Sequence, residues 1–165
     1  MSGLIASGSL KLETCRRNNI ENFMSIGPVP NGRIQIDLYR NQYENAIHRP
    51  VGPSARYNCH GLTFASRRTC IEIASEVQKI INDDDYTEID IKNVLPGDIA
   101  IYYNSNPPVT DIEHSGIVVS LVKTDILNKP KILSKWGGAH EVIHFPEDCP
   151  YNCSNVRYFR CLKYD

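Results

Sequence analysis

The hydrophobic pattern of the chain changes period at the turn sequence Leu-Pro-Gly-Asp, residues 95–98. Before this turn, over residues 58–81, apolar residues recur at the three- and four-residue intervals of a helix, with a break near Arg67 and Arg68. After it, short apolar runs bounded by turn residues predict strands at 99–103, 115–122, 131–136, 141–145 and 156–162. Helices followed by consecutive strands indicate an α+β fold, with the helices packed on an antiparallel sheet of four to six strands.

The first third of the chain has a weaker pattern. Residues 34–39 alternate apolar and polar side chains, which predicts a short strand. Pro50, Gly52 and Pro53 interrupt regular structure shortly before the helical region. We therefore expect residues 1–56 to be an N-terminal extension packed on a domain formed by residues 57–165.

The overall charge and the cysteine content limit the classes of partner and compartment. A net charge of −1 over 165 residues argues against a strongly basic nucleic-acid surface. No apolar stretch is long enough to span a membrane, so we expect neither nucleic acid nor membrane as a partner. Six cysteines without a secretory signal predict free thiols in a reducing compartment. The expected location is the cytoplasm, or a site reached without a recognisable signal peptide.

Cys59 stands at the predicted start of a helix, directly after Asn58. Asparagine is a favoured N-cap residue, and its side chain can accept a hydrogen bond from the free N–H groups of the first turn. The positive end of the helix dipole would stabilise a thiolate there, which predicts a lowered pKa and a thiol reactive near pH 6. The alternative is that Cys59 is a small buried apolar residue with no chemical role.

His114 precedes the predicted strand 115–122. Imidazole titrates in the range needed to take a proton from a thiol and return it to a leaving group. A nucleophilic cysteine needs such a base within hydrogen-bond reach, so the two side chains are expected to meet. The alternative is a structural or surface histidine.

Three motifs occur in a recognisable order: Asn-Cys-His-Gly at 58–61, Leu-Pro-Gly-Asp-Ile-Ala-Ile-Tyr-Tyr at 95–103 and His-Ser-Gly-Ile-Val-Val-Ser at 114–120. Together they resemble the NlpC/P60 superfamily of papain-like cysteine hydrolases, and its CHAP branch most of all. The resemblance covers residues 58–136 and implies that Cys59 is the nucleophile, His114 the base and Asp98 a structural turn residue. Two positions depart from the family pattern, because Asn58 replaces an aspartate and His60 replaces a small residue.

The same resemblance implies a third residue that orients the histidine from the next strand. Alternation puts Ile132, Ser134 and Trp136 on one face of residues 131–136, and Ser134 is the polar member of that set. His140 and Glu141, just past the Gly-Gly hairpin, are the alternatives for this third position.

Four further residues are candidates for the walls of the cleft. An oxyanion hole would use the backbone N–H of Cys59, and Tyr57 would add its hydroxyl or else pack beneath the motif. Because adjacent helical residues point about 100° apart, His60 is expected to form a wall of the cleft beside Asn58 rather than act as the base. Trp136 is either a core residue or a platform for a ligand.

The C-terminal region contains soft metal ligands, namely His144, Cys149, Cys153 and Cys161. Their spacing lacks the paired pattern of zinc sites, so we expect no metal and no other cofactor. Cys149 and Cys153 are close enough in sequence for a disulfide, although the favoured interpretation is an ordinary turn with free thiols.

The sequence thus predicts a cysteine peptidase or amidase that cleaves an amide bond through a thioester. The family resemblance implies a bacterial type of enzyme with a peptide or peptidoglycan-like substrate, and a delivered toxin would also require an inhibitory or immunity protein. An acyltransferase or deamidase using the same site, and a non-catalytic binding module of the same fold, are the alternatives.

Overall fold

The computed structural model describes residues 6–104 and 111–162, and seven strands of this part form one antiparallel sheet. The helices are α1 (Gly32–Gln42), α2 (Cys59–Phe64) and α3 (Ala74–Asp83), with a 3₁₀ turn at Ile91–Asn93. The strands are β1 (Ala6–Gly8), β2 (Met24–Ile26), β3 (Ile47–His48), β4 (Tyr86–Ile89), β5 (Ile99–Tyr103), β6 (Ile112–Val122), β7 (Lys129–Lys135), β8 (Glu141–His144) and β9 (Val156–Cys161). The sheet order is β3-β8-β7-β6-β5-β9-β4, and β1 and β2 form a separate two-stranded sheet.

The two faces of the sheet are covered by different helices. On β5, Ile99 and Ile101 pack with the apolar side of α3. On the same face further along the sheet, Leu62 of α2 packs against Leu133 of β7. We call this side the α2–α3 face.

The opposite side of the sheet is covered by α1 and is here called the α1 face. Tyr102 of β5 and Trp136, directly after β7, belong to its buried cluster. Tyr39 of α1 and Tyr43, directly after α1, pack against that cluster. Tyr39 and Tyr43 both make edge contacts with the indole of Trp136, at centroid distances of 5.2 and 5.0 Å. Trp136 is fully buried here, which supports the interpretation of this residue as core.

The mixed α+β class with a large antiparallel sheet is confirmed, but the prediction of a strand at residues 34–39 is wrong. These residues lie in α1, where Ile36 is buried while Ile34 and Leu38 are exposed. Ile36, Tyr39 and Tyr43 follow helical spacing toward the sheet, so the alternation with period two was coincidental. The sheet also exceeds the predicted four to six strands, because β3 and β4 are too short and too polar to give a strand pattern.

Residues 6–56 share this sheet with the rest of the described chain. The edge strand β3 pairs with β8, and α1 covers part of one face. The backbone of Phe23 also pairs with that of Cys70. The proposed functional division at residue 56 stays a prediction.

Asp98 closes the turn that leads into β5. Its carboxylate accepts a hydrogen bond from the backbone N–H of Leu95 at 2.6 Å and binds the Arg160 guanidinium at 2.7 and 2.8 Å. Gly97, with φ of +100°, supplies the left-handed conformation that the turn requires. These contacts join the start of β5 to β9. In the described ranges no helix is long and apolar enough to cross a membrane.

Candidate active site

Asn58 holds Cys59 at the first position of α2. Its Oδ1 accepts hydrogen bonds from the N–H groups of Gly61 (2.9 Å) and Ile71 (3.1 Å), while its Nδ2 donates to the Ile71 carbonyl (2.8 Å). The predicted N-cap is therefore confirmed. An aspartate could accept but could not donate to the Ile71 carbonyl, which gives a physical reason for asparagine at this position.

Gly61 allows the segment after α2 to fold back closely on the helix. A Cβ atom at this position would lie 1.7 Å from the carbonyl oxygen of Thr69. This close approach brings residues 69–71 against the first turn of α2, where Ile71 pairs with Asn58. The geometry around Cys59 therefore depends on glycine two residues after it.

The Cys59 thiol is nearly buried, and burial dominates its acidity. The backbone N–H groups of Ser115, His60 and Cys59 itself favour the thiolate, but loss of solvent raises the pKa of the thiol to about 11. The predicted lowering of this pKa is wrong, because the short helix α2 and the backbone hydrogen bonds to the sulfur do not offset its burial. In this state Cys59 is a neutral thiol at physiological pH.

His60 and Thr63 attach α2 to β6. His60 Nδ1 lies 2.7 Å from Ser115 Oγ, and the Thr63 hydroxyl lies 2.9 Å from the same oxygen. Thr63 can donate instead to the Cys59 carbonyl, at 2.9 Å. Burial lowers the pKa of His60 to about 4, so its ring is neutral. His60 is 3% exposed and is an internal tether of the helix rather than an open wall of a cleft.

His114 lies on the α1 face of β6, whereas the next residue, Ser115, points to α2. Its strand partner is Tyr102, whose ring meets the imidazole edge-on at a centroid distance of 5.2 Å. Tyr151 stacks on the same imidazole. His114 is completely buried, and neither ring nitrogen has a hydrogen-bond partner among the described residues.

No hydrogen bond joins the Cys59 sulfur to the His114 ring, whose two nitrogens have no partner among the described residues. The sulfur accepts a hydrogen bond from the backbone N–H of Ser115, the residue after His114. A negative charge on Cys59 would raise the pKa of the Tyr151 hydroxyl. Burial, together with the fields of His144 and His60, holds the pKa of His114 well below its usual value. The site therefore contains a neutral thiol and a neutral imidazole, with no preformed ion pair.

Ser134 shares the α1 face with Ile132 and Trp136, as the alternation predicted for these three residues, but it binds His144 rather than His114. Its Oγ is 2.7 Å from His144 Nε2 and accepts a hydrogen bond from Trp136 Nε1 at 3.1 Å. Because His144 Nδ1 must donate to the Phe145 carbonyl at 2.8 Å, its Nε2 accepts the Ser134 proton. Ser134 is fully satisfied by these two partners.

The alternative third residues also have other partners. His140 Nε2 lies 2.7 Å from His48 Nδ1. Glu141 accepts the Tyr57 hydroxyl at 2.8 Å and binds Arg67 through both carboxylate oxygens. Burial would raise the pKa of Glu141, but these hydrogen bonds outweigh it and hold the pKa low. The Tyr57 hydroxyl is thus engaged with Glu141, so its assignment to an oxyanion hole stays a prediction.

Tyr151 is the site residue that sequence reasoning missed. It lies in an irregular segment where no periodic pattern predicts its partner, and the backbone N–H of Asn152 anchors this segment to Glu113 of β6 at 3.1 Å. In the sequence, Tyr151 is only one residue of the turn between Cys149 and Cys153. Cys149 and Cys153 are both free thiols, and across residues 6–104 and 111–162 no three potential ligands cluster as a metal site.

Comparison with known proteins identifies no relative of this chain. No family model, no curated protein and no solved structure matches it. The chemistry of the site is therefore inferred from its own residues.

Proposed function

We propose that this protein is a cysteine hydrolase of amide bonds, a peptidase or amidase with a papain-like arrangement of helix and sheet. The observation that carries the proposal is the state of His114, a fully buried imidazole whose two nitrogens lack partners in the described structure. Each unsatisfied buried polar atom costs about 1–3 kcal/mol. Because neither nitrogen is bonded among the described residues, the imidazole can accept a proton once bound substrate brings it to the Cys59 sulfur.

In the proposed reaction the Cys59 sulfur attacks the carbonyl carbon of the substrate. The thiol proton passes to a His114 nitrogen as the carbon–sulfur bond forms, because the neutral thiol and neutral imidazole do not exchange it beforehand. His114 then gives that proton to the leaving amine, and water hydrolyses the thioester to free Cys59. The backbone N–H of Cys59 would stabilise the oxyanion.

The proposed reaction requires the imidazole to reach the sulfur. Tyr151 is the residue stacked on His114, and it lies in a segment without regular structure. Because His114 lies on the α1 face of β6 whereas Ser115 points to α2, displacement of Tyr151 by a bound peptide must be accompanied by a shift at the start of β6 that turns the imidazole toward Cys59. A preformed hydrogen bond is not needed, because catalytic contacts often tighten only when substrate is bound.

A non-catalytic binding module is the second candidate. The absence of a hydrogen bond between Cys59 and His114, and the pKa of about 11 for the thiol, both favour it. An acyltransferase or deamidase would use the same thioester, and the fate of the acyl group would distinguish these enzymes from a peptidase.

The test is cleavage of two defined probes, a proteome-derived peptide library and a set of peptidoglycan fragments, in heavy-oxygen water. We expect new carboxyl ends carrying the heavy oxygen, and we expect their loss with Cys59→Ala. Cys153→Ala, which removes an exposed thiol, is the matched control and should keep full activity. Acyl transfer to an amine without heavy oxygen would indicate the transferase. An absence of any Cys59-dependent product from either probe would reject the enzyme in favour of the binding module.

A further inference from the structure

A pocket of about 340 Å³ lies between α1 and the segment after β3, with arginines on both sides. Arg33, Asp37 and Arg40 line it from α1, where intervals of four and three residues put them on one face of the helix. Arg49 lines it from the other side, and its backbone N–H donates to the Glu141 carbonyl at 3.0 Å. The pocket is thus built on a helix and on the edge of the sheet.

The lining of this pocket has an excess of positive charge in a chain whose net charge is −1. Asp37 lies 3.9 Å from Arg40, and both side chains are at least half exposed, so this pair neutralises little. Arg49 lies 3.7 Å from Glu141, which already binds Arg67 at 2.5 Å. Arg33 has no ion-pair partner in the described ranges. Three guanidinium groups around one carboxylate favour an anionic ligand.

His140 lines the same pocket, is 1% exposed and has an Nδ1 atom without a hydrogen-bond partner in the described part of the chain. His48 Nε2 must donate to the Tyr43 carbonyl at 2.9 Å, so in the neutral ring His48 Nδ1 is an acceptor. His140 Nε2 therefore donates to His48 Nδ1 at 2.7 Å. These hydrogen bonds leave the lone pair of His140 Nδ1 without a donor among the described residues.

We propose that this pocket binds the phosphoryl group of a small phosphorylated ligand or free phosphate. The arginines bind its charged oxygens, and one oxygen shares a proton with His140 Nδ1. A phosphate monoester has a second pKa of about 6 and can carry that proton, whereas a sulfate or a carboxylate has none at neutral pH. The Nδ1 atom is covered in the free protein, so binding requires a side chain that lines the pocket to move. The proposal is independent of any reaction at Cys59.

The protonation of His140 in the free protein is set by its surroundings. Burial, followed by the charges of His48, Arg40 and Lys135, lowers the pKa of His140 to about 4. The titratable and charged groups around it are Asp37, Tyr39 and Arg40 from α1, His48 and Arg49 from β3 and its extension, Lys135 from β7 and Glu141 from β8. At about pH 8 both His140 and a phosphate monoester are therefore unprotonated, and formation of the complex must take up one proton from the buffer.

Calorimetric titration of the full chain with inorganic phosphate, glycerol phosphate and sulfate tests this proposal. Measurements at about pH 8 in two buffers of different ionisation enthalpy report the protons taken up. We expect uptake of about one proton with a phosphoryl ligand. Sulfate should bind at least roughly tenfold more weakly and without uptake, because it cannot form the shared hydrogen bond. Tighter binding of glycerol phosphate than of phosphate would identify an esterified ligand, and the reverse would identify free phosphate.

The variant His140→Gln separates the two parts of the site. Its side-chain amide can keep the hydrogen bond to His48 but has no group at the Nδ1 position, so phosphate should lose its advantage over sulfate and its proton uptake. Arg40→Gln should weaken both anions, while Arg16→Gln, an exposed arginine paired at 3.7 Å with Asp85, should weaken neither. Equal binding of phosphate and sulfate, no binding of either, or unchanged proton uptake in His140→Gln would overturn the proposal. Thermal unfolding of each variant verifies that it is folded.

Discussion

The imidazole of His114 lies flat against the phenol ring of Tyr151, with ring centroids 3.7 Å apart and planes inclined by only 11°. Stacking holds the imidazole by its faces and leaves both nitrogens at its edge without hydrogen bonds among the described residues. The apolar surface of the ring is thus well packed while its polar atoms are unsatisfied. The unsatisfied nitrogens of His114 therefore lower the free energy of unfolding, and replacing this residue tests whether they serve a function.

We predict that His114→Phe makes the protein more stable and abolishes hydrolysis. Phenylalanine keeps the stacked ring but removes two unsatisfied nitrogens, and removal of such groups should raise the free energy of unfolding by about 1–2 kcal/mol. Urea denaturation measures the gain. His144→Phe is the matched control, because it removes a ring whose two nitrogens are bonded, and it should be destabilised by about 1–3 kcal/mol. A stable His114→Phe variant with full activity would show that His114 is not the base.

Ser134→Ala should act on stability rather than on catalysis. The substitution leaves His144 Nε2 and Trp136 Nε1 without their buried partner, at a cost of about 1–3 kcal/mol in the free energy of unfolding. Because Ser134 makes no hydrogen bond to His114, the rate per folded molecule should be nearly unchanged. If the variant is fully folded and its rate still falls strongly, Ser134 is instead the residue that orients the base.

The sequence predicted the elements of this site better than their contacts. Asn58 as N-cap and β5 at Ile99–Tyr103 follow from local rules, because an N-cap bond and an apolar run are set by residues close in sequence. The partners of Ser134 and His140 depend on which strands are neighbours and on their register, which no local pattern contains. Burial is likewise a property of the whole fold, and for this reason the acidity of Cys59 was predicted in the wrong direction.

Alkylation of Cys59 by iodoacetamide should be slow in the free protein at neutral pH. The thiolate is the reactive species, and burial raises the pKa of this thiol to about 11. Cys153 is exposed and should be labelled before Cys59. The rate at Cys59 should rise about tenfold per pH unit toward pH 11, as its thiolate fraction does. Peptide mapping after brief labelling measures both sites, and preferential labelling of Cys59 near pH 6 would contradict the raised pKa.

Stability should fall as the pH is lowered from about 6.5 to about 4. Burial lowers the pKa of His60, His140 and His144 from 6.5 to about 4, so in this interval the unfolded chain binds protons that the folded protein excludes. A histidine whose pKa is lower in the folded than in the unfolded state stabilises the protein fully above its unfolded-state pKa. This stabilisation is lost as the pH falls toward the folded-state pKa. Three such groups correspond to a loss on the order of several kcal/mol.

Urea denaturation at a series of pH values measures this loss, and the slope of the free energy of unfolding against pH gives the number of protons taken up on unfolding. Between about pH 6 and pH 5 that number should exceed one. His60→Asn is the matched control, because the asparagine amide can keep the hydrogen bond to Ser115 made by Nδ1 while removing the titrating ring. Its slope should be smaller than that of the wild type by up to one proton. A slope near zero in the wild type would mean that these histidines are not neutral and buried in solution.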